Sequence, residues 1–299
     1  MDGIINIYKE KGFTSHDVVA KLRGILKQKK IGHTGTLDPE ATGVLPVCLG
    51  KATRLCDLLT DKDKTYIAVL KLGIETDTQD MTGQVLRETE VVWDEDLICQ
   101  TIRSFVGDYE QVPPMYSALK VNGKKLYELA REGIEVERKA RLVHIFDIEN
   151  IVLNEKENEI TMQVHCSKGT YIRTLCADIG EKLGCGGCMK SLERIQVERF
   201  LLSDSLKLSE VEALVQKQEL SKHLISIEEM FDKYRGIVLK PEADRFLYNG
   251  NSFWKSNLQQ LQDFQEGEIV RTYDSQEVFK GLYTYEAEKK AFKPYKMFL

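Results

Sequence analysis

The chain has 299 residues, 42% of them apolar, 30% charged and 8% aromatic, with only 6 Pro and a formal net charge of −5. That length suggests two domains and the apolar content excludes long disorder. No run of about 18 apolar residues suits a membrane helix, and the start, MDGIINIYKEKG, lacks a signal-peptide core. The 7 Cys, an odd number, read as reduced thiols in a cytoplasm.

The charge is uneven: +3 over residues 1–60, −10 over 61–232 and +2 over 233–299. Residues 9–30 alone hold Lys9, Lys11, Lys21, Arg23, Lys27, Lys29 and Lys30 against Glu10 and Asp17. Such a patch reads either as a solvated helix face or as a site for a phosphate backbone.

Residues 4–8 read as a short buried strand. Thr14 or Ser15 can cap a helix whose apolar stripe is Val18, Val19, Leu22, Ile25 and Leu26. Residues 32–43, GHTGTLDPEATG, hold three Gly and one Pro in twelve positions and predict an irregular loop. The apolar run Val44–Leu49 follows and stops at Gly50. Thr65 to Leu72 alternates as a strand, with Tyr66, Ala68, Leu70 and Leu72 on one face. Asp94 caps a helix carrying Leu97, Ile98, Ile102 and Phe105. Val121-Asn122-Gly123-Lys124 is a hairpin turn signal. Ile160, Met162, Val164 and Cys166 alternate as another strand, which runs into Ser167–Arg173 and then a helix with Leu175, Ile179 and Leu183, stopped by Gly184. Beyond residue 232 come a short helix around Pro241–Tyr248 and aromatic-rich strands at Ile269–Tyr273, Val278–Tyr285 and Phe292–Phe298. Strands and helices mix without strict βαβ alternation, so the expected class is α+β, with a small β-rich unit at the C-terminus.

The chain has no P-loop, no G-x-G-x-x-G after a strand, no H-E-x-x-H and no G-x-S-x-G. Cys185-Gly186-Gly187-Cys188 is a single C-x-x-C without a second pair at ligand spacing, so no metal is expected. Asp38 stands out. Pro39 pushes its backbone away from the α region, and the flanking glycines let a substrate approach. An Asp before Pro is also an ordinary turn former. His33 could stack or donate, or simply occupy a turn. Arg173 could pair with a carboxylate, or form a surface ion pair worth little. Tyr66 could stack on a base, or be core.

Taken together these residues are specific. GHTGTLDPEATGVLPVCLGKATR (32–54) closely resembles the second signature of bacterial tRNA pseudouridine-55 synthases, the TruB family. YKEKGFTSHDVV (8–19) resembles that family's first motif. DKTYIAVLKLGIETDTQDMTG (63–83), PPMYSALKVNGKKLYELAREGIEV (113–136), HCSKGTYIRTLCADIGEKLGCGG (165–187) and SLERI (191–195) match in order. One departure is Glu10, where the first motif usually has Pro; it puts the packing of that motif in question, not the chemistry.

The resemblance implies a pseudouridine-synthase fold over residues 1–232, with a central mixed or antiparallel sheet, flanking helices and an RNA-closing insertion at about 120–145. It also implies a PUA-like RNA-binding domain over 233–299. The activity implied is isomerisation of uridine to pseudouridine at position 55 in the T loop of tRNA. The target base is flipped out, and the reaction uses no cofactor and no metal. Asp38 is the implied catalytic nucleophile. Attack on C1′, a glycal route and attack on C6 all remain compatible with it. Arg173 is implied to pair with Asp38, holding it charged and fixing its rotamer. Tyr66 would lie against the base and could take the sugar proton. His33, Tyr171 and Leu192 would line the nucleotide site, and Lys9, Gly35, Thr36 and Pro39 would support the loop. The implied partner is the tRNA T stem-loop, read by shape and by basic groups. These are the 9–30 face and Lys120, Lys124, Lys125, Arg131, Arg138, Lys139 and Arg141. The protein is expected to be a cytoplasmic monomer with no membrane contact, and a tRNA-folding role could accompany the chemistry. A non-catalytic RNA-binding protein on the same scaffold would be expected to lose Asp38 first, and the intact Asp38, Tyr66 and Arg173 favour the enzyme.

Overall fold

The structure, a computed structural model, describes residues 1–121 and 123–299. The chain opens with strand β1 (Gly3–Lys9) and helix α1 (Ser15–Leu26). Of the two cap candidates it is Thr14 that caps α1: its Oγ1 accepts from the Asp17 amide at 3.0 Å while Asp17 accepts from the Thr14 amide at 2.9 Å. This reciprocal box satisfies two donors that a helix start otherwise leaves orphaned. β2 (Ile31–His33) and β3 (Thr42–Leu49) form an antiparallel pair with the glycine-rich loop between them. After α2 (Cys56–Thr60) comes β4 (Lys64–Leu72), with Tyr66, Ala68, Leu70 and Leu72 buried on one face.

The small hairpin β5 (Ile74–Thr76) and β6 (Val85–Glu88) is followed by α3 (Glu95–Arg103), capped by Asp94, and by β7 (Gly107–Gln111). Phe105 lies just beyond the end of α3 and packs against the same core. β8 (Lys120–Val121) pairs with β9 (Lys124–Lys125) and leads into α4 (Leu126–Arg131); of the expected Asn-Gly turn, Asn122 lies outside the described residues. Next come β10 (Arg141–Asn154), β11 (Glu159–Cys166), α5 (Ile172–Lys182), β12 (Gly187–Val197), β13 (Phe200–Leu201) and α6 (Leu208–Gln216).

These strands form one nine-stranded sheet in the order β1-β3-β12-β4-β11-β10-β7, with β2 added to β3 and β13 to β12. Every pairing is antiparallel except β3 with β12. That one parallel contact lays the loop before β3 beside Arg194 of β12. Gly43 has φ +105°, and a Cβ there would sit 2.2 Å from the Arg194 carbonyl oxygen, so the crossing needs a residue without a side chain.

Helices α3 and α5 cover one part of the sheet, burying Leu175, Cys176 and Ile179 against Ala68, Leu70, Met162 and Val164. α1 and α6 cover Ile5, Ile7, Leu45 and Val47. The other faces of β1 and β3 present Ile4, Val44 and Cys48 to a second, smaller sheet. That sheet has the order β14-β16-β17-β18-β15: β14 (Gly236–Val238), β15 (Phe253–Trp254), β16 (Ile269–Tyr273), β17 (Phe279–Glu286) and β18 (Ala291–Met297), with α7 (Asp244–Tyr248) beside it. Leu282 and Phe298 reach from it into the cluster with Ile4, Val44, Cys48 and Phe231. The class is α+β, with a mixed, mainly antiparallel main sheet, flanking helices and a small β-rich C-terminal unit, as expected.

Candidate active site

Loop 34–41 is fastened from below. Lys9, wholly buried at the end of β1, donates from Nζ to the carbonyls of Phe13 at 2.6 Å, Pro39 at 3.1 Å and Glu10 at 3.2 Å. Burial pushes its ammonium down to about 8, against the pull of Asp38 and Glu40. Glu10, the departure noted above, takes part through its backbone alone. Ser15 at the start of α1 accepts from the Leu37 amide at 2.9 Å, and the Gly12 amide donates to the Pro39 carbonyl at 2.9 Å. Leu37 is buried in the core, so the next residue, Asp38, is turned outward with its side chain 40% exposed. Gly35 has φ +147°, a conformation that favours glycine, and Thr36 is exposed at the loop's tip.

Asp38 meets Arg173, 135 positions along the chain. Arg173 Nε stands 3.0 Å from Asp38 Oδ2, although the arginine side chain is only 6% exposed. The other guanidinium nitrogens are also engaged: Nη1 donates to the Thr78 carbonyl at 3.0 Å and lies 3.6 Å from Asp80 Oδ2, and Nη2 donates to the Tyr116 carbonyl at 2.8 Å. Asp80 is aimed by its own turn, its Oδ1 accepting from Thr78 Oγ1 at 2.7 Å, the Thr82 amide at 2.9 Å and Thr82 Oγ1 at 2.6 Å. One guanidinium thus ties together three separate loops, using the fork geometry peculiar to arginine.

Asp38, Ile67, Asp80, Ser191, Leu192 and Glu193 line a cleft of about 500 Å³, within the range of small-ligand sites. The register of β12 shifts between Met189 and Ser191, and both residues line the cleft. Leu192 is 9% exposed, opposite Ala68 of β4. Tyr66 is almost wholly buried beside Arg194; burial pushes its phenol up to about 12, against the pull of the Arg194 guanidinium. The phenol is therefore neutral at ordinary pH. Tyr171, partly buried at the start of α5, lies two residues before Arg173. His33 is half-buried, edge-on to His16 at 5.2 Å, and burial followed by the neighbouring His16 lowers its pKa.

Two residues that sequence reasoning passed over belong to this region. Asp80 sits in the 63–83 stretch that resembles the family, without being singled out there. Arg194 lies on a strand where a charge reads as solvent-facing, yet it is 1% exposed, with Nε donating to the Val44 carbonyl at 2.7 Å. Among the described residues no group of three or more His, Cys, Asp or Glu side chains could hold a metal ion, and no helix is long and apolar enough to cross a membrane. Cys185 and Cys188 are both buried free thiols, Cys185 facing backbone carbonyls and Cys188 facing Met81.

The chain matches the family model described as the TruB family pseudouridylate synthase N-terminal domain over residues 23–172. It matches the tRNA pseudouridylate synthase B C-terminal domain over residues 173–232, which lies before the small sheet. A tRNA pseudouridine synthase B of Lachnoclostridium phytofermentans is 55% identical over 307 residues, covering 100% of both chains. One of Clostridium perfringens (strain SM101) is 48% identical over 302 residues, covering 100% of this chain and 99% of its own. Among solved structures, a chain of a Cbf5–Nop10–Gar1 complex is similar with a TM-score of 0.72 and 27% identity, covering 99% of this chain and 85% of that one. With a family model over half its length and relatives this similar from end to end, the chain belongs to the TruB family of pseudouridylate synthases, enzymes of the isomerase class.

Proposed function

We propose that this enzyme isomerises uridine 55 in the T loop of tRNA, with Asp38 as nucleophile. The observation that carries the reading is the Asp38–Arg173 contact of 3.0 Å at the lip of the cleft. Asp38 attacks ribose C1′ as the bond to uracil N1 breaks, leaving a sugar ester and a free uracil anion. The base turns, C5 bonds to C1′ as the ester carboxylate departs, C5 gives up its proton and N1 takes one. The product is an isomer of the substrate, so no co-reactant is needed. A carboxylate suits the first step because Arg173 holds it in one place while its exposed edge faces the cleft. Tyr66 and Leu192 pack on the base, and Tyr171 and His33 border the nucleotide. Lys9, Gly35, Thr36 and Pro39 keep the loop in shape.

The uridine must leave its stack to reach Asp38, a cost of a few kcal/mol that side chains filling the vacated space offset. Phosphates would be held by the exposed lysines of the 9–30 face and by the insertion at about 120–145, where Lys125 and Arg131 flank the Tyr127 ring at 5.2 and 5.5 Å. Residues 1–232 form the catalytic unit in this reading. Residues 233–299 act as a PUA-like second RNA contact, supported by the half-exposed rings of Tyr248, Trp254 and Tyr295. The protein acts as a cytoplasmic monomer, and a tRNA-folding role would accompany catalysis. The test is release of tritium from [5-³H]uridine in unmodified tRNA. Parent enzyme should release one label per tRNA and Asp38→Asn none, while both bind tRNA. Release by Asp38→Asn would refute the assignment, and any folding role should survive that substitution.

A further inference from the structure

Gln111 ends β7 with its side chain inside the protein, 1% exposed. Its amide makes two hydrogen bonds to one residue: Oε1 accepts from the Tyr171 amide at 2.7 Å, and Nε2 donates to the Tyr171 carbonyl at 2.9 Å. A side-chain amide has the same donor–acceptor pair as a peptide group, so Gln111 serves Tyr171 as a neighbouring strand would. Tyr171 is the extended N-cap residue of α5, at φ −97° and ψ 107°, and its carbonyl also accepts from the Leu175 amide at 3.1 Å, the first bond of the helix. Arg173 stands two residues further on. The segment that starts at Gln111 also supplies the Tyr116 carbonyl that Arg173 Nη2 donates to. One residue therefore anchors both the helix start that carries the guanidinium and the strand of chain that receives one of its bonds.

We propose that Gln111 is a positioning residue: its amide clamps the Tyr171 backbone and so sets where Arg173 holds Asp38. The proposal rests on the roles given to Asp38 and Arg173 above. The clamp requires a donor and an acceptor at once. A protonated carboxylic acid offers both, whereas a carboxylate offers only acceptors and would face the Tyr171 carbonyl unfavourably. The titratable and charged groups around position 111 are Tyr109 on the same strand, with Asp178 of α5 bonded to it, Arg141 across the ladder, and Tyr171 and Arg173 on the clamped turn. Burial raises the pKa of a carboxyl placed there and the arginines oppose that rise.

The experiment is single-turnover tritium release by the full chain on unmodified tRNA across pH, with tRNA binding measured in parallel. For Gln111→Glu the ratio of variant to parent rate should fall at least ~10-fold as pH rises from ~5.5 to ~8, as the introduced carboxyl ionises. Gln111→Met, which fills the space without either bond, should lose ~10²-fold in rate at every pH with tRNA affinity within about threefold of the parent. If Gln111→Glu fails to fold, Gln111→Asn serves: its amide is withdrawn by one methylene, so rate should fall while affinity holds. A variant-to-parent ratio that stays constant with pH, or a Gln111→Met or Gln111→Asn rate within about threefold of the parent, overturns the proposal. Asp38→Asn run alongside separates the two ideas. If it keeps activity, the site assignment itself fails; if it is inert while the Gln111 variants behave like the parent, only the clamp fails.

Discussion

Replacing Arg173 by lysine keeps the charge and removes the fork. The guanidinium reaches Asp38 at 3.0 Å, the Thr78 carbonyl at 3.0 Å and the Tyr116 carbonyl at 2.8 Å from three different nitrogens. A single ammonium nitrogen cannot stand in all three places. If it keeps Asp38, it gives up two carbonyl bonds, each worth ~1.5–3 kcal/mol for a charged donor. Partial resolvation returns some of this, so Arg173→Lys should lower unfolding free energy by ~2–4 kcal/mol. If it instead settles toward the carbonyls, Asp38 loses its fixed partner and drifts. A displacement of about 1 Å at a reacting atom costs ~10²-fold in rate, or ~2.7 kcal/mol of barrier. Turnover in the tritium-release assay should therefore drop ~10²-fold, with tRNA affinity changed less than about threefold, because no contact to RNA is removed. Asp80→Asn should couple to Arg173→Lys non-additively, since both act through the same guanidinium. A folded Arg173→Lys enzyme with kcat within about threefold of the parent would refute the view that this arginine positions the nucleophile.

Gly43→Ala should destabilise the fold by ~2 kcal/mol or more, because its Cβ would stand 2.2 Å from the Arg194 carbonyl oxygen at a φ of +105°; a melting temperature equal to the parent's would count against the close β3–β12 crossing. Lys9 has a folded pKa of about 8 against 10.5 for a free lysine, so between those values the unfolded chain holds a proton the folded chain has lost. Its contribution to stability therefore rises with pH across that window, by up to about 1 kcal/mol per pH unit, and is constant below it. Denaturant titrations of parent and Lys9→Met should show a stability gap that widens from pH 8 to 10, and a gap that narrows would be the wrong sign. Charge reversal at the exposed Lys27, Lys29 and Lys30 should weaken tRNA binding and flatten its dependence on salt; an unchanged slope would make this an ordinary solvated face.

What the sequence made legible follows a physical division. β4 and β11 were readable because their alternation is unbroken, with every second residue buried. β10 and β12 were not, although they run to 14 and 11 residues, because register shifts at Ile145/Asp147, Glu149/Val152, Met189/Ser191 and Arg194/Gln196 break the period of two. One of those same irregularities lies in the wall of the cleft, so the signal fails beside the site. The site divides likewise. Asp38 and Arg173 could be singled out because a carboxylate among glycines and an arginine on a strand-to-helix turn are unusual in type and place. Gln111 and Arg194 could not, since what makes them matter is the company of main-chain groups brought from far away, and Asp80 could not because its distant partner is the Arg173 side chain, 93 positions along the chain. Arg173 binds carbonyls 95 and 57 residues distant, Gln111 binds a peptide 60 residues distant, and Arg194 binds a carbonyl 150 residues distant. Every residue type supplies the same carbonyl, and every one but proline the same amide N–H, so such partners leave no mark on composition or spacing. The reacting carboxylate announces itself locally, whereas the angle at which it is held is decided by peptide groups whose identity only the fold can reveal.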